Sequence, residues 1–132
     1  MIFSVNSGKI VKKTYPFMER IENDVLAFLF LEGHMAIRES KFQADLIKKL
    51  KVRFPGCIVM KNDANYIQGI PDLLILYLNK WAALECKKSL KASHQPNQDY
   101  YVEKMKEMSY ANFICPENEE VVLNELESAF KS

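Results

Sequence analysis

The segment QGIPDLLILYLNKWAALECKK, residues 68–88, decides how this chain folds. Two apolar runs, DLLILYL and WAALECK, flank Asn79-Lys80, a pair suited to a two-residue turn, so an antiparallel hairpin is predicted here. With that turn Leu78 faces Trp81, Asp72 faces Lys87 and Leu74 faces Glu85. Cross-strand partners share a face, and so do residues two apart on one strand. Asp72, Glu85 and Lys87 therefore converge on one side, at the end of the hairpin away from its turn. Leu84 and Cys86 point to the other side. Charges inside core-forming strands need a reason, and three at one corner suggest chemistry.

Working outward, residues 38–52 place Phe42, Leu46, Ile47 and Leu50 at helical spacing, and Phe54-Pro55-Gly56 ends that helix. Residues 57–63 read as a short strand, followed by a loop in which Gly69 permits a tight approach. Residues 95–109 open with Pro96 and read as a helix with Tyr101, Met105 and Met108 in one stripe. YANFICP is a last strand, and a last helix follows with Asn118 as its candidate cap. The order α-β-β-β-α-β-α predicts an α/β domain built on one mixed sheet flanked by helices.

The chain's 132 residues are 27% charged and 48% hydrophobic, a globular balance. The run VLAFLFL (25–31) is too short to span a bilayer. Three cysteines without CxxC spacing and two histidines argue against a disulfide framework or a zinc site, and fit a reducing cytoplasmic setting. Net charge is +1, but residues 41–61 hold six basic residues against one acidic, and residues 117–127 hold five glutamates. Residues 35–115 carry thirteen basic against eight acidic residues, a modest bias suited to phosphates.

Residues 1–34 read as a separate extension, with the functional unit starting at Met35. The peptide LEGHM can be encoded with GGAGG just ahead of ATG, as in a translated ribosome-binding site, or be a cloning remnant. The competing reading is a genuine amphipathic helix over 17–32, with Phe17, Ile21, Val25, Phe28 and Leu29 on one face.

Two carboxylates at diagonal cross-strand positions can close around one ion. Oxygen ligands without His or Cys suit Mg²⁺, with Mn²⁺ able to substitute. Such an ion polarises a phosphodiester and lowers the pKa of bound water, while a neighbouring lysine orients the water and counters developing charge. Glu39, on the first helical turn, is the candidate third carboxylate. The alternative is an ordinary Asp–Lys cross-strand pair worth roughly 0.2–1 kcal/mol.

Pro71-Asp72, a gap, then Glu85-Cys86-Lys87 resembles the signature of the PD-(D/E)xK nuclease superfamily. The flanks GIPDLLIL and ALECKKSLKASHQPNQDYYVEKM resemble its VRR-NUC branch, the virus-type replication-repair nucleases, over about residues 38–115. Glu39, Gly69, Pro71, Asp72, Glu85, Lys87 and Gln98 match in order. The resemblance implies a restriction-endonuclease-like sheet and a small Holliday-junction-resolvase-like enzyme of bacteria or their phages, acting as a homodimer on branched DNA in the host cytoplasm. It implies Asp72 and Glu85 as metal ligands, Glu39 as a direct or water-mediated ligand, Lys87 as the water-orienting group and Gln98 as a positioning group. Gln95 is the alternative to Gln98.

Lys88, Lys91 and His94 follow the active-site strand, either as DNA-backbone contacts or as a solvated basic loop. Lys48 and Lys49, with Lys51 and Arg53, form a basic helix end that can serve DNA or simply favour the helix C-terminus. Asn62 and Asn65 can touch DNA or cap turns, and turns are the preferred reading; Trp81 is read as an exposed interface residue. No helix is rich enough in Arg, Asn and Gln to read base edges.

Overall fold

A computed structural model describes residues 2–6, 9–13, 26–27 and 38–132. The chain divides into two compact units, Met1–Ile37 and Arg38–Ser132. In the first, β1 (Ile2–Asn6) and β2 (Lys9–Lys13) form an antiparallel pair, with Ile2 opposite Lys13 and Asn6 opposite Lys9. The sequence reading did not anticipate these strands. The helix considered over 17–32 lies outside the described residues, apart from 26–27, which are helical.

The second unit runs α1 (38–53), β3 (Ile58–Lys61), β4 (Leu73–Tyr77), β5 (Lys80–Cys86), α2 (Pro96–Met108), β6 (Tyr110–Ile114) and α3 (Glu119–Lys131). Its four strands lie in the order β3-β4-β5-β6. The β3–β4 and β4–β5 pairs are antiparallel and β5–β6 is parallel. A parallel pair needs a crossover, and α2 supplies it. This is the predicted α/β domain, with a mixed four-stranded sheet and three helices.

The hairpin is present, but its turn is Leu78-Asn79 and not Asn79-Lys80. Tyr77 pairs with Lys80 and Leu73 with Leu84. Continued one step, this register sets Asp72 across from Glu85, where the sequence reading had Lys87. Lys80 is drawn into β5, and its ammonium donates to the Ala129 carbonyl in α3 at 3.3 Å. Leu78 consequently takes φ 56° in the left-handed region. A shift of two residues preserves parity, so Asp72, Glu85 and Lys87 still share a face.

Strand β5 is covered on both sides, which explains its unbroken apolar run. On one face α1 and α3 contribute Leu46, Leu50, Val122, Leu126 and Phe130 to a core with Leu73, Ile75, Leu84, Cys86 and Ile114. On the other face α2 packs Val102 and Met105 on Ala83, Ala111, Trp81 and Phe113. Trp81 is thus packed beneath α2 and is not the exposed residue expected. The predicted α2 stripe is likewise rotated: Val102 is buried and Met108 exposed. Asn118 does stand at the N-cap of α3, but its amide closes the exit of β6, accepting from Cys115 N–H at 2.8 Å and donating to the Phe113 carbonyl at 3.1 Å.

The left-handed turn at an exposed leucine gives the first testable outcome. Leu78→Gly is expected to raise stability by about 0.5–1 kcal/mol, since a left-handed residue costs more than glycine's lost entropy. Urea unfolding measures it, and a clear destabilisation would mean that Leu78 makes packing contacts that matter.

Candidate active site

The side of the sheet that faces α2 carries the polar corner. Ala83, Glu85 and Lys87 alternate along β5 and its exit, and Asp72 stands across from Glu85 just before β4 begins. Glu85 is only 3% exposed and Lys87 8%. Buried charges persist only when paired or hydrogen-bonded, and each polar group here has such partners. The Asp72 N–H donates to Glu85 Oε2 at 3.1 Å, and the Cys86 N–H donates to Asp72 Oδ2 at 2.9 Å. Each carboxylate thus clamps the other's strand.

Helix α2 brings in Gln98. Its Nε2 donates to Glu85 Oε1 at 3.0 Å. Its Oε1 accepts from Lys87 Nζ at 2.6 Å and from the Gln95 N–H at 3.0 Å, the second of these fixing the start of the helix. Lys87 also donates to the Ser93 carbonyl at 3.3 Å, and its backbone N–H donates to the Ile114 carbonyl at 2.8 Å. Between the two sequence candidates, Gln98 touches the site, whereas Gln95 is the exposed cap residue.

The start of α2 is located by Gly69, whose φ of +90° suits only glycine. A Cβ there would lie 2.4 Å from Asn97 Cβ and 2.6 Å from the Asn97 carbonyl carbon. Asn62 ties the same loop down as expected, its side chain donating to the Pro71 carbonyl at 2.8 Å, whereas at Asn65 it is the Asp63 carboxylate that closes the turn, Oδ1 accepting from the Asn65 backbone N–H at 2.8 Å.

Electrostatics couple the third carboxylate to this pair. Burial, then the Asp72 charge, pushes the Glu39 carboxyl up, with Lys87 and Lys88 opposing. Burial raises Asp72 against the Cys86 N–H and Lys87. Burial, then Asp72, pushes Glu85 up to about 8. Among the described residues no group of three or more His, Cys, Asp or Glu closes at metal-holding distances. Asp72 and Glu85 each spend an oxygen on a backbone amide. The donor set nevertheless fits a hard divalent cation, because three desolvated carboxyl groups, all still raised despite Lys87, are stabilised by a further positive charge.

The other cationic candidates separate. Lys49 is paired with Glu119 at 2.8 Å. Arg53 is paired with Glu127 at 2.9 Å and Glu120 at 3.8 Å. The glutamates of α3 therefore neutralise much of the basic end of α1. Lys48 and Lys91 are exposed, and the charge of Lys88 reaches Glu39. His94 is held: Nδ1 lies 2.9 Å from Asp99 Oδ1, and its ring stacks on Phe113 at 4.0 Å and 17°. The sequence reading missed Asp99 and Phe113, although an acid in the first turn of α2, five residues after the histidine, was a usable signal.

No protein-family model, no curated protein and no solved structure matches this chain.

Two outcomes follow from the geometry. Gly69→Ala is expected to destabilise the fold by about 2–4 kcal/mol, combining left-handed strain with overpacking on Asn97; chemical unfolding gives the value. Glu85 is protonated in the folded chain and ionised in the unfolded one between about pH 4.5 and 8. Unfolding then releases a proton, so rising pH erodes stability across that window. Without divalent ions, wild-type stability should fall by on the order of a few kcal/mol from pH 5 to 8. Glu85→Gln should show a flatter profile, and equal slopes would contradict the assignment.

Proposed function

We propose that this chain is a Mg²⁺-dependent endonuclease that hydrolyses phosphodiesters in branched DNA, leaving a 5′-phosphate and a 3′-hydroxyl. The observation that carries the reading is the continuous hydrogen-bonded set Asp72, Glu85, Gln98 and Lys87, with Glu39 coupled to it by charge. A structural salt bridge would pair Lys87 directly with a carboxylate. Here an uncharged amide separates the two, leaving the carboxylates available for a cation and the lysine for a reactant.

Asp72 and Glu85 would hold the ion, with Glu39 direct or through water. When bound, the ion supplies Lewis acidity toward the phosphate and a lowered pKa for water. Lys87 has three N–H groups, and two are committed to Gln98 and the Ser93 carbonyl. The third is left to orient the attacking water and to counter charge developing on phosphate. Gln98 fixes the lysine and Glu85 with one side chain. Lys88 and Lys91 at the exit of β5, and Lys48 on α1, suit backbone contacts; Lys49, engaged by Glu119, is the weakest member of the proposed DNA-binding set.

A homodimer completes the proposal, since cutting two opposed strands needs two such sites and the described residues of each chain bring one carboxylate pair of this kind. Among the described residues no helix is long and apolar enough to cross a membrane, and we place the enzyme's work on DNA in the bacterial cytoplasm, in phage or prophage context.

End-labelled four-way junction, flap and linear duplex, each with Mg²⁺, Mn²⁺ or EDTA, test this on a gel. The junction should be nicked symmetrically with metal and left intact with EDTA, and Lys87→Ala should slow cutting by about 10²–10⁴-fold. Equal cutting of all three DNAs would make it a general or restriction-type nuclease. A shifted but uncut junction would make it a binding module.

A further inference from the structure

His94 is built into the site in a way that backbone contact does not require. Phe113 is the β6 partner of Glu85 in the parallel register, and both side chains lie on the α2 side of the sheet. Neighbouring strands are about 4.8 Å apart, so Phe113, on which the half-exposed imidazole stacks, stands one strand beyond Glu85, as Asp72 stands one strand before it. Lys87 and His94 also line a common small cavity of about 90 Å³, with Ser89 and Asn118. The loop that carries His94 starts at Lys87 and ends at Gln95, and so is anchored in the site at both ends.

Three contacts fix the imidazole. Its plane is set by Phe113, its Nδ1 by Asp99, and its backbone by the neighbouring Ser93 carbonyl on Lys87 Nζ. With Nδ1–H donated to a carboxylate, Nε2 is the nitrogen left for a reactant. A carboxylate on one ring nitrogen orients the ring and presents the other nitrogen to a reactant. Hydrolysis of a phosphodiester has two proton tasks, one at the attacking water and one at the departing oxygen. Lys87 has a single N–H left and serves one of them.

We propose that His94 is the general acid of this site, donating its Nε2 proton to the departing 3′-oxygen; the inference rests on the nuclease reading above. Water oxygen bonds to phosphorus and its proton passes to solvent. The P–O3′ bond breaks, its electron pair stays on O3′, and the Nε2 proton joins that oxygen to give the 3′-hydroxyl. Neutral imidazole remains with Nδ1–H on Asp99, and solvent returns the proton. Asp99 is a positioning residue in this scheme.

The test uses the full-length chain with Mn²⁺ and two junctions, one ordinary and one with a bridging 3′-sulfur at the mapped cleavage position. A thiolate departs without protonation, so loss of a general acid is silent on sulfur. His94→Gln should slow cutting of the ordinary junction by about 10²-fold and cut the sulfur-linked junction at the wild-type rate. Asp99→Asn, which leaves the imidazole in place, should slow the ordinary junction by roughly tenfold and spare the sulfur one. Equal slowing on both linkages in both variants, or none on either, overturns the general-acid role while wild-type cleavage keeps the nuclease reading. A wild type that cuts neither junction overturns both.

Discussion

Burial of the Glu85 carboxyl in a strand covered on both faces is the constraint around which this domain is arranged. An ionised carboxylate in such a place costs several kcal/mol unless it is compensated. The compensation comes from three separate parts of the chain. The Asp72 N–H arrives from the opposite strand, the Gln98 amide from α2, and a proton from solvent. Helix α2 can bring Gln98 there because Gly69 lets the 62–71 loop press against its first turn without a side chain between them.

The two faces of the sheet divide the work. Helices α1 and α3 make the larger apolar core, from Leu46 and Leu50 to Phe130. The first turn of α1 then delivers Glu39 to the polar corner, and the glutamates of α3 neutralise Lys49 and Arg53. The opposite face has a thinner apolar layer under α2, and its outer end is the site. Basic charge is therefore quenched at the far end of α1, while Lys91, beyond the end of β5, is exposed.

Much of this was legible because strand geometry has a strict period of two. Misplacing the turn by one position moved the cross-strand register by two, so Asp72, Glu85 and Lys87 stayed on one face, although Asp72 meets Glu85 and not Lys87. The cause of the misreading was a local preference, Asn79-Lys80 being better turn residues than Leu78. It was overridden by pairing that seats Lys80 against Ala129. The α2 stripe was misread for a similar reason: Met108 looked apolar enough to bury, but tertiary packing selected Val102. The assignment of Gln98 needed the likeness to the nuclease pattern, since it lies on a separate helix and no periodicity links it to the hairpin. The stacking of His94 on Phe113 depends on the parallel register of β6, which sequence spacing does not encode.

The proposal that Glu39, Asp72 and Glu85 together take a divalent cation is the one on which the functional reading rests. Calorimetric titration of the chain with Mn²⁺ at pH 7, in two buffers of different ionisation heat, tests it most directly. Glu85, pushed up to about 8, is mostly protonated before the ion arrives. The expected result is one saturable binding event whose heat depends on the buffer and reports release of about one proton. Absence of binding, or a binding heat that is the same in both buffers, would contradict the claim.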